Sequence, residues 1–184
     1  EVIDAITDYK RWRQADTLAL QNEKAQVRGK FAKRILLEID RLPDGNPYAR
    51  PRVGIGIVVQ KSGKVLLGKR KDSHGAGEYA WPGGHLEHLE SFEDCARREL
   101  REETGIEIQN VQFLRLLNMK DYAPKHYVHI SLLAEWASGE PTVLEPEKCA
   151  EWNWYVPDQL PAPLFATVIG DLEALQTGKN FWDA

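Results

Sequence analysis

The sequence predicts an α/β domain over about residues 51–184 with a helical extension before it. Three observations carry this expectation. Apolar residues recur at helical spacing up to about residue 41, and the pattern then changes to short apolar runs of strand character. One amphipathic stretch of about thirteen residues, between Ser91 and Gly105, breaks those runs, and a second helical stretch closes the chain.

In the extension, Ile3, Ile6, Tyr9 and Trp12 recur at helical spacing, and Phe31, Ile35, Leu36 and Ile39 do so again after a more polar middle. One long helix and two shorter ones are both compatible with this pattern. Leu42-Pro43-Asp44-Gly45-Asn46-Pro47 ends it in a turn. The apolar stripes need a cover, either the main domain or a second copy of the chain in a homodimer.

From Val53 the chain reads as strands. VGIGIVV suits a central strand buried on both faces, Lys61-Ser62-Gly63-Lys64 a hairpin turn, and Val65-Leu66-Leu67-Gly68 the returning strand. Gly75, Gly77 and the pair Gly83-Gly84 flank Tyr79-Ala80-Trp81-Pro82, where the backbone can approach a ligand closely. Residues 111–117, 127–136 and 151–156 are further strands, and residues 164–175 form the closing helix.

Composition bounds the function classes. A hydrophobic fraction of 42% and a charged fraction of 28% describe an ordinary globular protein, and no apolar run approaches the length a membrane-spanning helix needs. Net charge is -4, which implies no general affinity for nucleic acid or membrane surfaces. The acidic excess lies after residue 50, since the first 50 residues carry a net charge of +2. Cys95 and Cys149 are the only cysteines and have no zinc spacing, a usage that fits a reducing compartment, so a cytoplasmic location is expected.

The chemistry is concentrated in the central helix. Ser91 suits its N-cap, with Glu93 and Asp94 near the positive end of the dipole, and Gly105 its stop. At roughly 100° per residue, Glu99, Glu102 and Glu103 fall within an arc of about 100° beside the packing stripe of Ala96 and Leu100. Like charges at this spacing oppose the helix unless a cation joins them, and all-oxygen ligands select Mg2+ or Mn2+. The alternative is a solvated face paired locally with Arg97, Arg98 and Arg101.

Residues 84–106, GHLEHLESFEDCARRELREETGI, resemble the Nudix box, G-x5-E-x7-R-E-U-x-E-E-x-G-U with U aliphatic. Gly84, Glu90, Arg98, Glu99, Glu102, Glu103 and Gly105 all occupy its fixed positions. At ordinary residue frequencies, chance agreement is of order 10^-9 per window. LLGKRK, GAGEYAWPGGHLE and EPEKCAEWNWY extend the similarity to about residues 51–165 and look like the MutT-type branch.

The resemblance implies an α/β/α sandwich around a mixed sheet and Mg2+-dependent hydrolysis of a nucleoside diphosphate linked to another group. It implies Glu99 and Glu103 as direct metal ligands, Glu102 as a ligand or water-mediated partner, and the Gly83 carbonyl and Glu147 as further ligands. Glu102 or Glu103 would be the general base, with Gly84, Glu90, Arg98 and Gly105 supporting the site. Lys69, Arg70 and His85 are candidates to hold phosphates, and Tyr79, Trp81, Asn118 and Phe165 to form the base slot. Relatives often carry Trp where this chain has Ala166, and Phe-Gly where it has His88-Leu89. The leading expectation is a diphosphatase of nucleoside triphosphates, including oxidised or noncanonical purine nucleotides, that releases pyrophosphate. Nucleotide sugars, ADP-ribose or dinucleotides are the alternative substrates, and a non-catalytic nucleotide-sensing or protein-interaction module is the alternative of another class.

Overall fold

The computed structural model describes residues 51–71, 75–120, 123 and 125–183. The expected helical extension and part of the loop after Lys120 lie outside the described residues. In chain order come β1 (Arg52–Lys61), β2 (Lys64–Arg70), β3 (Tyr79–Ala80), β4 (Gly83–His85), α1 (Phe92–Thr104), β5 (Glu107–Met119), β6 (Tyr127–Ser138), β7 (Cys149–Tyr155), a 3-10 turn (Pro157–Gln159), α2 (Ala166–Thr177) and β8 (Phe181–Asp183).

All eight strands form one mixed sheet in the order β3-β2-β1-β6-β5-β8, with β4 added to β1 and β7 to β2. β1 runs parallel to β6 and β5 parallel to β8, while the other pairs are antiparallel. The near-continuous apolar run of β1 is explained by burial on both faces, as its composition predicts. Ile55, Ile57 and Val59 pack with Cys95, Ala96 and Leu100 of α1, whereas Val58 packs with Val65, Leu67, Trp81 and Val168 of α2. The helices thus cover opposite faces, giving the expected α/β/α arrangement. No described helix is long and apolar enough to cross a membrane.

α1 begins and ends where its caps place it. Ser91 Oγ accepts from the Asp94 N–H at 3.1 Å, and Gly105 takes the left-handed conformation with its N–H directed at the carbonyls of Leu100 and Arg101. At the other end of the chain, α2 starts two residues later than the apolar pattern suggests, because Phe165 is extended and forms its N-cap. β3, β4 and β8 are too short to leave a periodic signal. β5 exceeds its expected span because the buried Ile108 pairs with Trp136 of β6, while the exposed Gln109 and Asn110 after it break the apolar pattern.

Candidate active site

β4 brings Gly83 and Gly84 between β1 and α1. Gly83 pairs with Gly56 and Gly84 with Ile55, and a side chain at either position would meet a neighbour. A Cβ at 83 would collide with the Ile55 carbonyl, and one at 84 with the Glu99 carboxylate. The conformational freedom of Gly83, at φ 155, is needed for that path. The Gly83 N–H then donates to Glu103 Oε2 at 3.0 Å, tying strand to helix.

Arg98 is the centre of the polar scaffold. It donates through Nε to Glu90 Oε1 at 2.8 Å and through Nη2 to Glu90 Oε2 at 3.0 Å. Nη1 reaches Glu99 at 2.7 Å and Glu102 at 3.2 Å, and Nη2 also reaches the His85 carbonyl at 3.2 Å. This bidentate pair pulls the Glu90 carboxyl down to about 2 and fastens the preceding loop to the helix. Arg97 and Arg101 turn away to Glu93 and Glu107, so the solvated-face alternative describes those two arginines but not Arg98.

The glutamates differ in environment. The side chain of Glu99 is 14% exposed and that of Glu102 57%, the latter lying at the rim. Burial pushes the Glu103 carboxyl up to about 8 against the Gly83 hydrogen bond, with Glu99 and Glu145 reinforcing the rise and Lys148 opposing it. Of the three carboxylates, Glu99 and Glu102 share Arg98 Nη1, while Glu103 is held by the Gly83 N–H. Among the described residues, no group of three or more His, Cys, Asp or Glu side chains is arranged to hold a metal ion. The chemistry of the donors still suits a hard cation: Glu99, Glu103 and the Gly83 backbone border one cavity, where Lys148 is the basic residue whose charge bears on Glu103.

That cavity measures about 590 Å³. Glu87, Glu99 and Glu103 form its acidic side, Gly54, Gly56, Gly83 and Gly84 its floor, and Trp81, Met119, Trp152 and Phe165 its apolar side. Of the expected substrate contacts, Arg70, His85, Trp81 and Phe165 line it. The Arg70 guanidinium lies 4.9 Å from the Phe165 ring, and burial, followed by Arg52, lowers the His85 pKa.

Lys69, Tyr79, Asn118 and Glu147 do not line the cavity. Lys69 lies over the Tyr79 ring, whose hydroxyl donates to Glu151 at 3.0 Å and is pushed up to about 12 by that bond. Asn118 bonds Asp183 and His126 at 2.6 Å, linking β5 to β8 and the segment before β6. Glu147 is exposed, because the Glu145 carbonyl accepts from both the Lys148 and Cys149 N–H groups and the resulting turn points residue 147 outward. Glu145, ion-paired with Lys148 at 2.7 Å, is the loop carboxylate within electrostatic reach of Glu103.

Sequence reading also missed His129 and Asp171. The His129 ring lies across Gly54 and Gly56, with its Nε2 buried and without a hydrogen-bond partner among the described residues. Burial lowers its pKa to about 4. The glycines alternating with isoleucines in β1 were the available signal, since empty positions on one face call for a ring from the neighbouring strand.

A family model described as the NUDIX domain matches residues 50–176. The chain belongs to the Nudix family. Members of the Nudix family hydrolyse phosphoanhydride bonds, and of the box glutamates Glu99 and Glu103 border the cavity. The chain is 31% identical over 124 residues to a protein named ADP-ribose pyrophosphatase from Methanocaldococcus jannaschii, covering 67% of this chain and 73% of that one. It is 34% identical over 106 residues to a NAD-capped RNA hydrolase, NudC, of Stutzerimonas stutzeri, covering 58% of this chain and only 37% of that protein's length. Among solved structures, the MutT NUDIX hydrolase of Burkholderia pseudomallei aligns with a TM-score of 0.65 and 37% identity, covering 68% of this chain and 98% of that one.

Proposed function

We propose that this Nudix chain is a divalent-metal-dependent hydrolase of a nucleoside diphosphate linked to a second group, yielding a nucleoside monophosphate and the phosphorylated second group. The observation that carries the reading is the cavity itself, its lining divided among the α1 carboxylates, the β4 glycine backbone, the aromatic rings of Trp81, Trp152 and Phe165, and the cations Arg70 and Lys148. Such a division suits a ligand with a polyphosphate centre and a planar end. The names of the Methanocaldococcus and Stutzerimonas relatives both describe substrates of this linked class.

Glu99, Glu103 and the Gly83 carbonyl would hold Mg2+ or Mn2+, with Glu102 joining from the rim when Arg98 releases it. The ion supplies charge neutralisation of the phosphates and acidification of an attacking water. Glu103 would accept the proton from that water in its ionised form, which a bound cation favours over the protonated form that burial alone favours. Arg98 and Glu90 hold the helix against the loop, while Arg70 and His85 bear on the phosphates. Water oxygen bonds to one phosphorus, the bridging P–O bond breaks, and the bridging oxygen leaves with the other phosphate. Nucleoside triphosphate cleavage to pyrophosphate is the second reading, supported by the 37% identity to the Burkholderia MutT structure.

The full chain incubated with Mg2+ or Mn2+ and ADP-ribose, NAD, UDP-glucose, GDP-mannose and the nucleoside triphosphates, with products resolved by chromatography, tests this. Conversion of a linked diphosphate to nucleoside monophosphate is the expected result. Faster release of pyrophosphate from a triphosphate establishes the second reading, and no turnover of any compound with either metal overturns both.

A further inference from the structure

Bonded to Trp81 and Thr167 of the cavity lining is a buried polar cluster to which hydrolysis assigns no task. Asp171 of α2 is fully buried. Its Oδ1 accepts from Arg115 Nε and from Ser131 Oγ, each at 2.6 Å, and its Oδ2 accepts from Trp81 Nε1 at 3.0 Å. Arg115, 3% exposed, also donates to the Thr167 carbonyl at 3.2 Å and lies 4.9 Å from the Trp182 ring. Gly170 makes room for it, since a Cβ there would collide with the guanidinium. β5, β6, α2 and the β3–β4 connection therefore meet at one carboxylate.

Fastening α2 to the sheet does not explain this cluster. A glycine inside a helix and a buried ion pair both compare poorly in stability with alanine and well-packed apolar side chains. What apolar side chains cannot do is fix an indole by its N–H. Trp81 and Thr167, two of the groups that the cluster holds, line the cavity. We propose that Asp171 is a positioning residue for substrate binding: oriented by Arg115 and Ser131, it sets through Nε1 the angle at which the Trp81 indole meets the nucleobase. The proposal takes from the hydrolase reading only the class of ligand, a nucleotide.

Two measurements test it. In the 15N-labelled full chain, the Trp81 indole N–H signal is identified among six tryptophans by its loss in Trp81→Phe. It is expected to exchange slowly with water and to shift on titration with AMP or UMP, whether or not any substrate is turned over. A chain that hydrolyses nothing but shows this response retains the positioning role and loses only the hydrolase reading. The second measurement is steady-state kinetics on Arg115→Met/Asp171→Leu, which removes the cluster while preserving packing. KM should rise roughly three- to tenfold with kcat changed less than about twofold, as in Trp81→Phe, and combining all three changes should add nothing to Trp81→Phe alone. Full additivity with Trp81→Phe, an unchanged KM, or an indole signal indifferent to both nucleotides overturns the proposal. Should the double variant not fold, the exchange and nucleotide response of the wild-type signal decide alone.

Discussion

Glu99, Glu102 and Glu103 are chemically identical neighbours to which the fold gives unequal surroundings. Glu99 occupies space left by Gly84, Glu103 is bonded to the Gly83 N–H, and Glu102 remains mostly in solvent. A graded response follows. Glu103→Gln should lower kcat by roughly 10²- to 10⁴-fold, with Glu102→Gln costing less. An equal loss would put the proton acceptor at the rim. In the loop before β7, Glu147→Gln should leave kcat/KM within about twofold, as surface changes do, whereas Glu145→Gln should reduce it further. At this scale the sequence revealed residue types and helical register, because both are local. Whether Glu145 or Glu147 turns inward was hidden, since it depends on the turn formed at the Glu145 carbonyl and on where β2 holds the far end of that turn through the Lys71 N–H and the Lys148 carbonyl.

α1 was legible almost to the residue because its N-cap, amphipathic stripe and C-terminal glycine agree with one another. Replacing Ser91 by Ala removes the acceptor for the Asp94 N–H and should cost about 1 kcal/mol in urea unfolding. β4 shows the opposite case. Three residues with two glycines carry no strand pattern, yet their pairing with β1 fixes where the Glu99 carboxylate can lie. Gly84→Ala should therefore lower kcat by roughly 10²-fold through displacement of Glu99, with little change in far-ultraviolet circular dichroism. β8 and the short β3 were likewise invisible, because two or three residues cannot establish a period. The two helices on opposite faces were legible only through the resemblance, since an apolar stripe identifies a buried face without saying which side of a sheet it covers.

For the molecule as a whole, stability should depend on pH through His129. Buried and facing Arg115, it stays neutral in the fold down to about 4, whereas the unfolded chain takes up this proton near its ordinary 6.5. Between those values only the unfolded state binds the proton, so stability falls as pH drops through the window and levels off below it. The loss should be roughly 3 kcal/mol in urea unfolding, and His129→Gln should flatten it. The expected cation site predicts an opposite lever: Mg2+ at a hundred times its Kd should add about 2.7 kcal/mol at neutral pH, an effect abolished by EDTA and by Glu99→Gln/Glu103→Gln. β1 links these global properties to the reaction. It bonds to β2, β4 and β6, sends Ile55 and Ile57 into the interior, and presents Gly54 and Gly56 to the cavity. In deuterium-exchange mass spectrometry its amides should therefore be among the slowest to label, so the glycine wall of the cavity would be among the last parts of the domain to melt.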